Sequence, residues 1–167
     1  MQSREVTVSG GYQQLEIYQL ALKLAVDVHA MSLTLPRFET YEEGSQVRRS
    51  SKSIAANIVE GYGRRQYKNE FLKYVIYASA SCDETKAHLE MLHQTGSLDK
   101  ERYMLLNGQY QELGKKLYRF RQAVMSRHNQ SACEDTPEYT AAAQDILEED
   151  ILYASIADSG SPDSEPD

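Results

Sequence analysis

Apolar and small residues recur at alternating steps of four and three over two long segments, and this spacing restricts the possible folds more than any other feature. The first series is Phe71, Val75, Ala78, Cys82, Thr85, Leu89 and Leu92, and the second is Leu106, Tyr110, Leu113, Leu117, Phe120 and Val124. Such a repeat keeps one stripe of a helix against its neighbours, as in the seam of a helical bundle. No useful length of chain alternates with a period of two, so the sequence predicts an all-α protein.

Two further helices are predicted before these series. Apolar residues at helical spacing predict a first helix over about 12–34, which Pro36 stops. The pattern Thr40-x-x-Glu43 predicts a capping box that starts a second helix, and this helix runs to about Gly61.

The last two helices complete a bundle. The third is predicted over about 66–95 with Gly96 as its cap, and Ser97 is predicted to open the fourth. Four amphipathic helices joined by short loops imply an up-down-up-down four-helix bundle over residues 12–127. Residues 1–11 are predicted to be a flexible N-terminus. Small residues on the faces of the second and third helices favour association of the bundle with other copies.

Charge is distributed unevenly along the 167 residues. Residues 1–127 hold all 18 Lys and Arg and carry a net charge of +4, whereas residues 128–167 carry −11, which gives −7 for the chain. We therefore expect an acidic, partly disordered C-terminal tail, with a possible short helix at 137–156 that begins at Thr136 and Pro137. The tail either engages a charged surface, in which case it should weaken binding of other anions, or serves solubility alone.

Residues 45–71 hold six cations against two acids. The cations are Arg48, Arg49, Lys52, Arg64, Arg65 and Lys68. On a helical wheel, Val47, Ser51, Ile54, Ile58 and Gly61 share one stripe, and Arg49 and Lys52 lie opposite it. Gly61 and Gly63 are expected to end the helix in a backbone conformation with positive φ.

This basic segment is interleaved with tyrosines, which is a composition that suits contact with RNA or DNA. Cations neutralise phosphates, and tyrosines stack on unpaired bases. The candidate nucleic-acid-binding residues are Arg48, Arg49, Lys52, Arg64, Arg65, Lys68, Tyr62 and Tyr67. In the alternative interpretation the chain is an oligomeric protein-interaction module without nucleic-acid binding. Arg48 then pairs with an acid of another helix, and the tyrosines are core or interface residues.

The sequence offers no complete catalytic or metal-binding motif. Glu90-x-x-His93 is a single copy of a motif that a di-metal bundle needs twice, so we expect no metal, no cofactor and no enzymatic activity. Cys82 is expected to be a buried free thiol. The sequence shows no membrane-spanning run and no signal-peptide core, and a cytoplasmic location follows by default.

The segment from Ser45 to Arg65 resembles the signature of the four-helix-bundle proteins named after 23S ribosomal-RNA intervening sequences. The similarity continues at Glu70 and Phe71, and Tyr12 to Tyr18 is similar to the opening segment of that family. Three departures are Ala55 in place of a proline, Tyr18 in place of a tryptophan and Gln66 in place of a serine.

The resemblance covers about residues 12–125 and implies a four-helix bundle that assembles as a homo-oligomer, with five-fold rings in family members. It also implies kinship with the accessory proteins of diversity-generating retroelements, which share this bundle and bind nucleic acid beside a reverse transcriptase. The partners expected on this basis are other copies of the chain, RNA or DNA, and a reverse transcriptase or another protein. No enzymatic activity is established for the family.

Overall fold

The computed structural model describes residues 11–131, and within them the protein is all-helical. A 3-10 helix at Tyr12–Gln14 precedes α1 (Glu16–Ser32), and another at Arg37–Thr40 precedes α2 (Glu43–Gly63). The chain then forms α3 (Lys68–Gln94) and α4 (Lys100–Ser131). The prediction of a four-helix, all-α fold is confirmed. Of the N-terminus predicted to be flexible over residues 1–11, residues 1–10 lie outside the described residues, as does the possible helix at 137–156.

The two predicted seams form the centre of the core. Every residue of both 4-3 series is buried, and α1 and α2 bury their own stripes against them. Burial of each large aliphatic or aromatic side chain contributes about 1.5–3 kcal/mol, so the seams make a large contribution to the stability of the bundle. Cys82 is a buried free thiol as predicted, and burial raises its pKa to about 11.

Polar contacts fix how α4 lies against α1. Lys116 Nζ is 2.7 Å from Glu16 Oε1 near the start of α1, and an Arg102 N–H donates to Thr34 Oγ1 at 2.7 Å just beyond its end. The two helices therefore run antiparallel. The start of α1, the end of α2, the start of α3 and the end of α4 meet at one end of the bundle.

Small residues let α2 and α3 approach closely. Thr85 Oγ1 donates to Ser50 Oγ at 2.9 Å, and Ser81 Oγ donates to Ser53 Oγ at 3.0 Å. These hydroxyls satisfy one another inside the interface, as buried polar groups must. Ser50, Ser81 and Thr85 are buried within the chain. These small residues therefore serve the close packing of α2 against α3 within the chain.

The predicted capping box at Thr40 is wrong. Thr40 lies in a 3-10 helix, and α2 begins at Glu43 after Glu42, which makes no side-chain capping hydrogen bond. The Thr40 carbonyl instead accepts a 2.7 Å hydrogen bond from Arg48. Thr40 thus contacts a side chain within α2 and does not cap the helix.

The glycines at the end of α2 do not adopt the predicted conformation. Among the described residues Gly96 alone has positive φ, at 78°, which confirms it as the turn residue after α3. Gly61 and Gly63 remain helical in α2. A Cβ at Gly61 would lie 2.9 Å from Tyr74 Cβ, so this glycine is required by the close approach of α3.

The start of α4 also differs from the prediction. Asp99 precedes the helix, and its carboxylate accepts the backbone N–H of Arg102 at 2.9 Å, which is the geometry of an N-cap. Ser97 instead donates to Glu39 Oε1 at 2.6 Å. Ser97 therefore satisfies a buried carboxylate of the 3-10 helix before α2.

Candidate nucleic-acid interface

Arg48 is part of the internal packing of the bundle. Its guanidinium donates to Ser32 Oγ at 3.2 Å and to the Thr40 carbonyl at 2.7 Å. The expected partner was an acid on another helix, but the structure provides a hydroxyl and a carbonyl. These contacts tie α2 to the end of α1 and leave Arg48 poorly placed to bind a phosphate.

Tyr62 and Arg65 form a second internal cluster at the end of α2. The Tyr62 ring is buried and lies edge-on to Tyr12. Arg65 covers it with its Cζ 4.3 Å from the ring centroid and donates to the Tyr62 carbonyl at 3.2 Å. Tyr62 is therefore a packing residue, and the face of its ring is occupied by a cation of the same chain.

Arg64 is exposed and belongs to a surface network. It donates to Glu60 Oε1 at 3.1 Å, and the Tyr74 hydroxyl donates to the same oxygen at 2.8 Å. The hydrogen bond from Tyr74, and then that from Arg64, lowers the pKa of Glu60. The same bond to Glu60 raises the pKa of Tyr74. An exposed ion pair of this kind exchanges readily with a competing anion.

Arg49 and Lys52 lie on a different surface from the turn. Both are exposed on the outward face of α2, as the helical wheel predicts. Lys52 precedes Arg64 by 12 positions, which corresponds to about 18 Å along the helix axis. The eight candidates of the sequence analysis therefore do not form one patch.

Tyr67 and Lys68 connect the turn to α4. Tyr67 is 62% exposed at the position before α3. Lys68 Nζ lies 3.4 Å from the carbonyl oxygen of Met125, and the rings of Phe71 and Phe120 pack edge to face at 5.8 Å. The C-terminal half of α4 is thus placed beside the α2–α3 turn.

Four cations in the half of α4 that leads to this end were missed by sequence reasoning. They are Lys115, Lys116, Arg119 and Arg121, within the segment KKLYRFR. Tyr118 in this segment is 56% exposed, and Arg121 Cζ lies 5.7 Å from its ring centroid. The sequence does show that this segment holds four cations and no acid within seven residues. Its position in the half of α4 that leads to the turn, however, depends on the tertiary fold.

These groups define what we call the basic end of the bundle. It comprises Arg64, Arg65, Lys68, Lys115, Lys116, Arg119 and Arg121. Four described acids lie near it. Glu16 pairs with Lys116, Glu60 with Arg64 and Glu70 with Lys73, and the fourth acid is Glu112. The cations exceed these acids, so the basic end has a net positive charge.

The opposite end of the bundle, which we call the acidic end, has the reverse balance. Its described acids include Glu39, Glu42, Glu43, Glu90, Asp99 and Glu101, against Arg37, Arg48, Lys100 and Arg102. The two ends lie some 30 Å apart, given about 20 residues per helix at 1.5 Å each. An anion is therefore attracted to one end and repelled by the other.

Histidines and acids elsewhere in the described residues make structural contacts. His88 Nδ1 lies 2.7 Å from Glu43 Oε2, and His93 stacks on Tyr103 at 4.6 Å. Within residues 11–131, no three His, Cys, Asp or Glu side chains converge as a metal site. None of the four helices described is long and apolar enough to cross a bilayer.

The fold agrees with comparisons to known proteins. The profile of the 23S rRNA-intervening sequence protein family matches residues 13–119. The chain belongs to this family. Its fold is similar to the crystal structure of a protein of unknown function from the S23 ribosomal protein family of Bacteroides thetaiotaomicron, with 25% identity and a TM-score of 0.61. That similarity covers 66% of this chain and 98% of the other. No curated protein matches the chain.

Proposed function

We propose that this member of the 23S rRNA-intervening sequence protein family is a non-enzymatic, homo-oligomeric scaffold that binds RNA or DNA at its basic end. The observation that carries the proposal is that cations of the α2–α3 turn lie beside the C-terminal half of α4, which holds four more cations at residues 115–121. Phosphate neutralisation there supplies affinity without sequence selectivity. Exposed Tyr67 and Tyr118 add flat surfaces for unpaired bases, which favours single-stranded regions.

The site differs from the one that the sequence alone indicates. Arg48 and Tyr62 are excluded by their internal contacts, and Arg49 and Lys52 lie on another surface. Arg64, Lys68 and Tyr67 remain, Arg65 adds its charge from its packed position over the Tyr62 ring, and the cations of α4 join them. By resemblance to the accessory proteins of diversity-generating retroelements, a reverse transcriptase is a candidate partner at the bound nucleic acid.

The salt dependence of binding to a single-stranded RNA tests this proposal. We compare Arg64→Gln/Lys115→Gln at the basic end with Arg37→Gln/Lys100→Gln at the acidic end, since all four side chains are exposed and both variants lose two charges. Each lost phosphate contact should reduce the slope of log K against log salt by about 0.7. The slope for the basic-end variant should therefore be smaller by about 1.4 in magnitude. The control should keep the wild-type slope. Equal slopes in both variants, or no RNA binding at low salt, would contradict the proposal.

An apolar stripe on the outer face of α1 supports homo-oligomerisation. Leu22, Val26 and Leu33 are 46%, 61% and 68% exposed and lie opposite the core-facing residues of the helix. Aligned apolar side chains on an outer face are typical of an association surface. By resemblance we propose a pentamer, which would have five times the 19.0 kDa mass of the chain.

Light scattering of the wild-type protein tests the assembly. Val26→Glu should reduce the particle mass to that of smaller species without loss of helix content, because it places a charge in the stripe. Gln111→Glu adds the same charge on the outer face of α4 and is the control. A monomeric wild-type protein at micromolar concentration would refute the assembly.

A further inference from the structure

The end of α4 delivers the acidic tail directly to the basic end of the bundle. α4 continues to Ser131, and Met125 lies beside Lys68. Ser131 is only about 9 Å further along the helix axis than Met125. The chain then continues for 36 residues, and all eleven acids of residues 128–167 lie in this part.

The acids of this segment are close enough to Ser131 in sequence to reach the cations of the basic end. Its first acid, Glu134, follows Ser131 by three residues, a reach of at most about 10 Å. The cluster Glu148, Glu149 and Asp150 follows by about 18 residues, for which a flexible chain spans roughly 21–25 Å. Lys115 lies about 24 Å back along α4 from Ser131, whereas Lys100 at the acidic end lies about 46 Å away.

We propose that the acidic segment of residues 132–167 docks on the basic end of the bundle and competes there with nucleic acid. The segment carries no Lys or Arg, so its charge is complementary to the surface from which it emerges. Its tether gives it a local concentration on the order of millimolar.

The docking does not depend on nucleic-acid binding, but the competition rests on the proposed function. Carboxylates of the segment occupy the cations that phosphates would otherwise neutralise. Binding of nucleic acid then requires displacement of the segment, and any partner that captures the segment exposes the basic end. The bundle would thus carry its own electrostatic inhibitor.

Carbodiimide cross-linking of the full-length protein tests docking directly. The reagent joins a carboxylate to an amine only where the two are in contact. Peptide mapping at the monomer mass should show links from residues 132–167 to Lys68 or Lys115, and these links should disappear at about 1 M salt, where screening extends over about 3 Å. Lys100 is the internal control. Links to Lys100 at equal yield, or no links from the segment to the basic end, would overturn the proposal.

RNA binding by charge variants of the full chain tests competition. Glu148→Gln/Glu149→Gln/Asp150→Asn should bind single-stranded RNA at least threefold more tightly at low salt, since each exposed ion pair contributes a small factor. Glu42→Gln/Glu90→Gln/Glu101→Gln removes three exposed acids at the acidic end and is the matched control for net charge. A gain in the tail variant alone supports competition. Equal gains in both variants, or no gain in either, would overturn it.

The two assays separate the failure of the competition model from the failure of the proposed function. RNA binding at the basic end with no cross-links and no tail effect would overturn the docking and leave the proposed function standing. Cross-links to the basic end, combined with no RNA binding by any variant, would support the docking and overturn both the competition and the proposed function.

Discussion

At the residue scale, adjacent arginines have different roles. Arg64 is exposed and paired with Glu60, whereas Arg65 lies over the buried Tyr62 ring and contacts its carbonyl. The stem and guanidinium of Arg65 shield the ring from solvent, so its loss removes packing as well as charge. Sequence alone treats the two as equivalent members of one basic patch.

We predict that Arg65→Ala destabilises the bundle by about 1–2 kcal/mol, whereas Arg64→Ala costs less than about 0.5 kcal/mol, as expected for an exposed ion pair. Urea unfolding followed by circular dichroism measures both values. Equal destabilisation by the two substitutions would contradict the assignment of Arg65 to packing.

The Glu60 network makes a second prediction at this scale. Because Tyr74 and Arg64 lower the pKa of Glu60, its carboxylate should titrate below the ordinary value of 4.5. Its contribution to stability is present above that value and is lost as the pH falls through the lower, folded pKa. The contribution of Tyr74 to stability has the opposite pH dependence. Because the pKa of Tyr74 is raised, this contribution is present below about pH 10 and is lost as the pH rises further.

An NMR titration of the Glu60 side-chain carbonyl checks this prediction. Tyr74→Phe should move the midpoint upward toward 4.5, because it removes the largest cause of the shift. Arg64→Gln should have a smaller effect in the same direction. An unchanged midpoint in Tyr74→Phe would show that the hydroxyl does not hold the carboxylate in solution.

At the element scale, the sequence predicts the helices far better than their ends. Residues of the α3 and α4 seams were identified from their spacing, because side chains three and four positions apart must share a helix face. The ends depend on contacts between segments. The Thr40 carbonyl accepts a hydrogen bond from Arg48 inside α2, and Ser97 donates to Glu39, which is 58 residues away in sequence.

The same distinction explains Gly61. Its position suggested a local turn, but the structure shows a contact between elements. Gly61→Ala should destabilise the protein by about 1–3 kcal/mol, because a Cβ would lie 2.9 Å from Tyr74 Cβ and 3.3 Å from Phe71 Cδ2.

Gly108→Ala is the matched control for that substitution. Gly108 lies within α4 with nothing within 4 Å of the added Cβ, so alanine should stabilise the helix by about 0.5–1 kcal/mol. Thermal unfolding of the two variants should therefore show shifts of opposite sign. A stabilising effect of Gly61→Ala would refute the close approach of α2 and α3 at this point.

At the scale of the whole molecule, the important feature is charge polarity between the two ends of the bundle. The sequence indicates six cations near the α2–α3 turn, and the structure disperses half of them. Antiparallel packing brings the C-terminal half of α4, including Met125, beside the turn from about 55 residues away in sequence. This gathering could not be predicted from spacing, since it depends on which helix ends meet.

The charge difference between the two ends and the apolar stripe of α1 would have separate roles. The α1 stripe would hold copies together, and the basic end of each copy would remain directed along the bundle axis. An assembly of several copies would then present several basic ends, and multivalent contact would increase the affinity for a long nucleic acid well beyond that of one copy.

Photo-cross-linking of the full-length protein to a single-stranded RNA that contains 4-thiouridine tests the central claim most directly. We expect adducts on the peptides that carry Tyr67 and Tyr118, which are exposed tyrosines beside the cations of the basic end, and none on residues 33–48 at the acidic end. Adducts concentrated on residues 33–48, or on the outer face of α2 around Lys52, would contradict the claim that the basic end is the nucleic-acid interface.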